Sequence, residues 1–203
     1  LTQAYEVLRK VKAAGEPDPV AALAQYEEQG LYRIPEVWYQ QPIYYKANRL
    51  SVIGTGHDIT WPPYANILDF ELEFGFFIGK GGRDIPKDKA LDHIFGYSIF
   101  NDISARDTQA VEMQGGRGPA KGKDFDTGNI IGPCITTADE IDPYNLTMIA
   151  RVNGEEWSRG SSSTMHWKFE DLISYVSNSE TLYPGEFFGS GTVGGGSGLE
   201  LER

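Results

Sequence analysis

Between Ile67 and Ile78 the chain alternates apolar and acidic residues, most strictly in Leu68-Asp69-Phe70-Glu71-Leu72-Glu73-Phe74, and this run reads as a strand. Residues two apart on a strand point the same way, so Asp69, Glu71 and Glu73 share one face and Phe70, Leu72 and Phe74 the other. Alternate positions lie roughly 7 Å apart along a strand. In a partly buried setting such carboxylates raise one another's pKa unless a cation compensates them. A strand with one solvated acidic face gives the same pattern, and the alternation alone leaves both readings open.

The rest of the chain after Pro42 has the same texture: short segments rich in Val, Ile, Phe and Tyr, punctuated by Gly and Pro. Ile94 to Ile103 is a second strand. Leu146 to Val152 pairs with Glu155 to Ser158 across Asn153-Gly154, a two-residue hairpin signal. Trp167 to Val176 is a short helix, and Tyr183-Pro184-Gly185-Glu186 turns into Phe187 to Ser190, followed by a glycine run from Gly191 to Gly198. Before Pro42, Leu1 to Gly15 has helical spacing, while Asp18-Pro19 opens a second helix that Gly30 closes. The expectation is an α+β fold, mainly β, with a mixed sheet and short helices. Residues 1–41 form a helical lead-in or lid and 42–203 the main domain. The chain starts at Leu1 and stops at Leu201-Glu202-Arg203, directly after an apolar/acidic alternation that looks like a strand in progress, so a C-terminal truncation is expected.

Composition narrows the function. Eighteen Lys and Arg against 29 Asp and Glu give a formal net charge of -11, which opposes nucleic acid and anionic membranes as partners and favours a small ligand. One cysteine, Cys134, permits neither an internal disulfide nor a thiolate zinc site, so a reducing compartment, the cytoplasm by default, is expected. No apolar run approaches the roughly 20 residues that span a bilayer.

A second acidic point ends the apolar strand Gly96-Tyr97-Ser98-Ile99-Phe100-Asn101-Asp102, and Ser104-Ala105-Arg106-Asp107-Thr108-Gln109 starts a helix directly after it. Ser104 is expected to cap that helix together with Asp107, which places Arg106 and Gln109 on one face, toward Asp102. An all-oxygen set of Glu71, Glu73 and Asp102 suits a hard cation, Mg²⁺ or Ca²⁺, with Mn²⁺ also admissible. In Gly118-Pro119-Ala120-Lys121-Gly122-Lys123-Asp124 a nucleotide-binding loop is excluded by Arg117 where a glycine is required and by Asp124 after the lysine. Lys123 fits either a solvated lysine or a group that meets a substrate carboxylate or enolate. The aromatic stretch Trp38 to Tyr45 fits a packing or dimer surface as well as a pocket wall.

Four blocks, Leu68 to Glu73, Asn101 to Gln109, Gly118 to Lys123 and Gly189-Ser190-Gly191-Thr192, resemble in order the signature segments of the fumarylacetoacetate hydrolase family. The resemblance runs from about Pro42 to the end. It implies a mixed, mainly β roll, a homodimer, a bound Mg²⁺ or Ca²⁺, and chemistry on 1,3-dicarbonyl or 2-oxo acids. By position, Glu71, Glu73 and Asp102 resemble the metal ligands. Arg106, Gln109 and Lys123 resemble groups that orient substrate and stabilise developing charge. Thr192 resembles the substrate-carboxylate contact, Tyr45 (or Tyr44) the aromatic neighbour, and Glu200 the glutamate that orients a water-activating histidine. That histidine and an aspartate ligand seven residues before it have no match: their positions fall on Lys10 and Gln3. His57, His93 and His166 each sit in a context that explains them structurally. The resemblance therefore implies a metal-dependent hydrolase of a carbon-carbon bond in an acylpyruvate-like oxo-acid. An oxo-acid decarboxylase or tautomerase on the same scaffold, or an inactive metal-binding member, remains as an alternative.

Overall fold

In the computed structural model, which describes residues 2–203, three helices come first: α1 (Thr2–Ala14), α2 (Pro19–Glu28) and α3 (Val37–Gln40). Then follow β1 (Val52–Gly54), β2 (Leu68–Asp69), β3 (Leu72–Ile78), β4 (Gly82–Arg83), β5 (Ile94–Asp102), β6 (Ser104–Ala105) and α4 (Arg106–Gln114). The last part holds β7 (Asn129–Ile131), β8 (Thr136–Thr137), β9 (Thr147–Val152), β10 (Glu155–Ser161), α5 (Phe169–Val176), β11 (Thr181–Leu182) and β12 (Phe187–Gly189).

The main sheet runs β1-β7-β5-β3-β12 with β8 on β5, and only β1 and β7 pair in parallel, so the sheet is mixed as expected. Its backbone is the β3–β5 ladder, from Leu72 opposite Asn101 to Ile78 opposite Ile94. β12 packs so close to β3 that a Cβ on Gly75 would lie 2.2 Å from the Phe188 carbonyl oxygen, which is why a glycine stands there. The β9–β10 hairpin turns through Asn153 and Gly154 at φ 52° and 84°, the left-handed pair that a two-residue turn requires.

One face of β3 supplies Phe74, Phe76 and Ile78 to the core, where they meet α5 through Phe169, Ile173 and Val176. These α5 positions fall on one helical stripe. Fully buried Phe169 packs edge-on against Phe76 at 4.7 Å and Phe74 at 5.1 Å between ring centres. The lead-in helices form where the sequence places them, with the Asp18 carboxylate accepting the Ala21 N–H at the start of α2. No helix among the described residues is long and apolar enough to cross a membrane.

Three local expectations are corrected. The Ile67–Ile78 strand is broken: Leu68 and Asp69 pair with β6, Leu72 onward with β5, and Glu71 between them bridges Ser197. Ser104 does not cap α4, because β6 pairing with Asp69 holds it; its hydroxyl donates to the Asp102 carbonyl, while Asp107 accepts from Asn66. Leu199-Glu200-Leu201 is a turn, closed by Leu201 N–H to Ser197 O (3.1 Å) and Arg203 N–H to Gly198 O (3.0 Å).

Candidate metal centre

The break before β3 turns Glu71 and Glu73 toward the end of β5, and one carboxylate oxygen from each of Glu71, Glu73 and Asp102 lies within 4.8 Å of the others. Glu73 and Asp102 are buried, with 4% and 3% of their surface exposed. Lys123 enters the same space at 3% exposure and places Nζ 2.7 Å from Glu71 Oε2 and 2.9 Å from Asp102 Oδ2. The Tyr45 hydroxyl donates to Asp102 Oδ2 at 2.7 Å, and the Gly191 N–H donates to Glu73 Oε2 at 2.9 Å.

Arg106 stands at the first position of α4 and is engaged on every side: Nε donates to Asp69 Oδ2 (2.7 Å), Nη1 to Glu71 Oε1 (2.8 Å) and to Gln109 Oε1 (2.9 Å). It reaches Glu71 rather than Asp102. Asp69, which the alternation grouped with Glu71 and Glu73, lies outside the cluster they form with Asp102. Its carboxylate accepts the N–H groups of Gly198 (2.6 Å) and Leu199 (3.1 Å), binding Arg106 to the glycine-rich segment. A Cβ on Gly198 would lie 2.5 Å from Asp69 Oδ1, so glycine permits this approach.

Four carboxylates therefore meet two cations, and the pKa values of Glu71, Glu73 and Asp102 divide accordingly. Burial alone would raise Glu71, but Lys123 and Arg106 outweigh it and hold this carboxyl down at about 2. Burial pushes Glu73 well above the usual range, and the nearby Glu71 and Asp102 push it further. Asp102 is also raised, by burial first, with Lys123 opposing and Glu71 adding. Lys123 stays cationic because Glu71 and Asp102 overcome the burial that would lower it. Tyr45 is raised by burial and by Asp102, and remains a neutral donor.

This donor set fits a divalent cation. It is all oxygen, it carries uncompensated negative charge, and Asp102 Oδ1 is buried with no hydrogen-bond partner, so an acceptor is available where a cation would sit.

Other expected positions lie farther out. Thr192 directly follows Gly191 and is half-buried. Glu200 accepts the Gly196 N–H at 3.1 Å, on the turn that begins at Ser197. Tyr44 turns away, 46% exposed and edge-on to Tyr175, leaving Tyr45 as the tyrosine at the site. Gln3 lies by the glycine run, its Oε1 3.6 Å from where a Gly195 Cβ would be, and Lys10 makes an exposed ion pair with Glu202 at 2.6 Å. The histidines are elsewhere: His57 against Gly54 O, His93 buried with Nδ1 at Lys80 O, and His166 against Trp38. Sequence reasoning missed Asp69 as the partner of Arg106, the Gly191 N–H, and Asn101, whose Oδ1 accepts the Glu71 N–H.

A family model described as fumarylacetoacetate (FAA) hydrolase, C-terminal, matches residues 19–202. Human "Oxaloacetate tautomerase FAHD2A, mitochondrial" is 37% identical over 157 residues, 77% of this chain and 49% of that protein. "Uncharacterized protein PH0643" of Pyrococcus horikoshii is 34% identical over 179 residues, 88% of this chain and 78% of that protein. Among solved structures, a fumarylpyruvate hydrolase from Pseudomonas aeruginosa in complex with Mn²⁺ and pyruvate is similar with a TM-score of 0.72 at 28% identity, covering 85% of this chain and 73% of that one. A 5-carboxymethyl-2-hydroxymuconate delta-isomerase from Mycobacterium smegmatis gives 0.66 at 32% identity, covering 73% and 57%. The chain spans about half the length of curated relatives such as the human tautomerase.

Proposed function

The chain belongs to the fumarylacetoacetate hydrolase family, and from that premise we propose that it is a divalent-cation-dependent enzyme that moves a proton within a small 2-oxo acid of the oxaloacetate type, interconverting keto and enol forms. The observation that carries this reading is the buried Lys123 ammonium held between Glu71 and Asp102, at a cluster where no histidine lies among the described residues. Tautomerisation needs a stabilised enolate and no attacking water. Its atoms balance within the substrate: the carbon beside the carbonyl gives up one proton and the oxygen takes one.

A cation held by Glu71, Glu73 and Asp102, whether Mg²⁺, Mn²⁺ or Ca²⁺, would supply Lewis acidity toward the carbonyl and carboxylate oxygens of the substrate. Lys123 Nζ offers an N–H to the oxygen that gains negative charge as the C–H proton leaves. Gln109, with Oε1 fixed by Arg106, keeps its amide N–H groups for a substrate carboxylate, and Thr192 is the second polar contact assigned to it. Arg106 is a positioning residue, since its hydrogen bonds go to Asp69, Glu71 and Gln109. Tyr45 fixes Asp102 and walls the site. A homodimer belongs to the same proposal, with Phe95 and Ile99 as exposed apolar side chains of β5. The exposed, unpaired Cys134 fits a reducing compartment such as the cytoplasm.

Hydrolysis of an acylpyruvate is the second reading, favoured by Glu200 on the turn that Glu71 reaches through Ser197. The test is to follow the enol absorbance of oxaloacetate with and without Mn²⁺ or Mg²⁺, and to identify products from oxaloacetate and a panel of acylpyruvates. Cation-dependent loss of the enol with no pyruvate and no acyl fragment supports the tautomerase. Cation-dependent cleavage into two acids, with no effect on enol decay, replaces it with the hydrolase.

A further inference from the structure

Lys123 follows a loop whose backbone is gathered by a single side chain. Glu112, two turns along α4 from Arg106, accepts the N–H groups of Ala120 (2.9 Å) and Gly122 (3.0 Å) at Oε2 and that of Lys121 (2.7 Å) at Oε1. Three successive amides aimed at one point form an anion-binding nest, and here the chain fills it with its own carboxylate. Burial works to raise the Glu112 carboxyl, but the N–H groups of Ala120, Gly122 and Lys121 lower it on balance, so it is ionised.

From this anchor to Lys123 the backbone has little freedom. The N–H groups of Lys123 and Asp124 both return to Ala120 O, at 3.0 and 2.7 Å, and Ala105 N–H donates to Gly122 O at 2.8 Å. Gly122 sits so close to α4 that a Cβ there would be 2.8 Å from Gln109 Cα. Upstream the picture reverses: Gly116 and Gly118 have φ of 67° and 71°, and a Cβ on either would meet nothing within 4 Å. The loop is therefore tied down from Ala120 onward and open before it. Helical spacing also sets Arg106, Gln109 and Glu112 along one side of α4, so the helix that orients the first two also holds the loop that delivers Lys123.

We propose that Glu112 is a positioning residue for Lys123: by filling the nest at Ala120, Lys121 and Gly122 it fixes the backbone from which the ammonium reaches Glu71 and Asp102. The consequence for turnover rests on the role given above to Lys123; the consequence for its position does not. The experiment compares Glu112→Ala, Glu112→Gln, Lys123→Met and the Glu112→Ala/Lys123→Met pair in the full chain. The first readout is the ¹⁵N-resolved ammonium signal of Lys123 in metal-free protein, identified by its loss in Lys123→Met. The second is Mn²⁺ affinity by calorimetry, and the third is kcat and KM for enol oxaloacetate.

Glu112→Ala is expected to broaden or abolish the ammonium signal and to move Mn²⁺ affinity about threefold or more in the direction in which Lys123→Met moves it, with no added effect in the double variant, since residues acting through one group are non-additive. It should lower kcat about tenfold with a smaller change in KM, the mark of an interaction made in the transition state. Glu112→Gln keeps one accepting oxygen and its length, and should fall between wild type and Ala, which also guards against a misfolded Ala variant. An unchanged ammonium signal and unchanged Mn²⁺ affinity in both Glu112 variants overturn the proposal, as does an effect on Mn²⁺ affinity that persists undiminished in the Lys123→Met background. A moved ammonium with unaltered turnover in all variants upholds the positioning and removes Lys123 from the chemistry.

Discussion

The two faces of β3 hold different kinds of structure within one strand. Phe74, Phe76 and Ile78 look toward α5 and sit among rings and aliphatic chains, whereas Glu73 looks the other way, toward Glu71, Asp102 and the Gly191 N–H. On the apolar face each side chain stabilises by leaving water, about 1.5–3 kcal/mol apiece, largely independent of direction. On the acidic face, burial opposes every ionised group and only specific partners offset it. The fold is therefore held chiefly on one side of the strand. The other side, apart from Phe77 packed on Phe187 farther along, is a set of charges whose arrangement the fold imposes.

If that division is right, Phe169→Ala should lower unfolding free energy by about 3–5 kcal/mol, as large-to-small changes at fully buried aromatic sites do. Below its midpoint the variant should still bind Mn²⁺ within about twofold of wild type, because distant independent sites behave additively. Denaturant unfolding and calorimetry check both numbers. A proportional loss of Mn²⁺ affinity would show that the two faces are one cooperative unit.

Within the acidic face, Glu71 and Glu73 should part company. Glu71→Gln leaves Lys123 and Arg106 without their shared carboxylate and should destabilise metal-free protein by about 3 kcal/mol. Glu73→Gln removes a carboxyl that burial and its neighbours already disfavour, so metal-free stability should hold or rise, while stabilisation by added Mn²⁺ should vanish in both variants. The pH dependence carries the same contrast. Glu73 has its folded pKa raised, so the native state binds the extra proton and stability falls as pH rises from the unfolded value, about 4.3, toward the raised one. Glu71 is depressed to about 2, so its contribution is present above pH 4 to 5 and is lost as pH falls toward 2. Metal-free wild type should thus lose stability as pH rises from about 4.3 toward the raised Glu73 pKa, and Glu73→Gln should flatten that slope. An equal slope in the two proteins would refute the assignment.

A smaller effect is expected where the two regions are joined. Gly198→Ala places a Cβ 2.5 Å from Asp69 Oδ1, in the carboxylate that orients Arg106. Stability should fall by about 1–2 kcal/mol, the ordinary range for a local clash. Turnover should fall about tenfold, chiefly in kcat, as Arg106 loosens its hold on Glu71 and Gln109. Steady-state kinetics with Mn²⁺ saturating separates this from weakened cation binding.

The same division explains what the sequence could announce. Periodicity is legible wherever one kind of partner suffices: Phe74, Phe76, Ile78, the α5 stripe and the Asn153-Gly154 turn all follow from spacing or from a required φ. The clustering of Glu71, Glu73 and Asp102 was legible too, because alternate positions on one strand plus an acid at the end of the next confine the carboxylates to one place. Asp69 was misplaced because alternation carries no sign of where a strand breaks. The break depends on Gly198 and Leu199, almost 130 residues on, donating two N–H groups to that carboxylate. Ser104 failed as a cap for a like reason: the β2–β6 pairing claims it, and that pairing is tertiary. The grip of Glu112 on Ala120, Lys121 and Gly122 had no sequence signal beyond a glycine-rich loop after a helix.

The smallest predicted effect concerns the position aligned with a missing histidine. Lys10 lies on α1, and its ammonium is raised by a hydrogen bond to Glu202, with which it pairs in open solvent, more than half exposed on both sides. Pairs of this kind add little, since water and salt screen them and two long side chains must be ordered to form them. Lys10→Ala should therefore leave the unfolding midpoint and the kinetics of enol oxaloacetate within experimental error. Lys10→His should be equally silent toward acylpyruvates, because a side chain at this exposed position has solvent rather than the carboxylate cluster before it. A gain of acylpyruvate cleavage in Lys10→His would show that α1 swings over Glu71, Glu73 and Asp102 during turnover, and would return hydrolysis to first place.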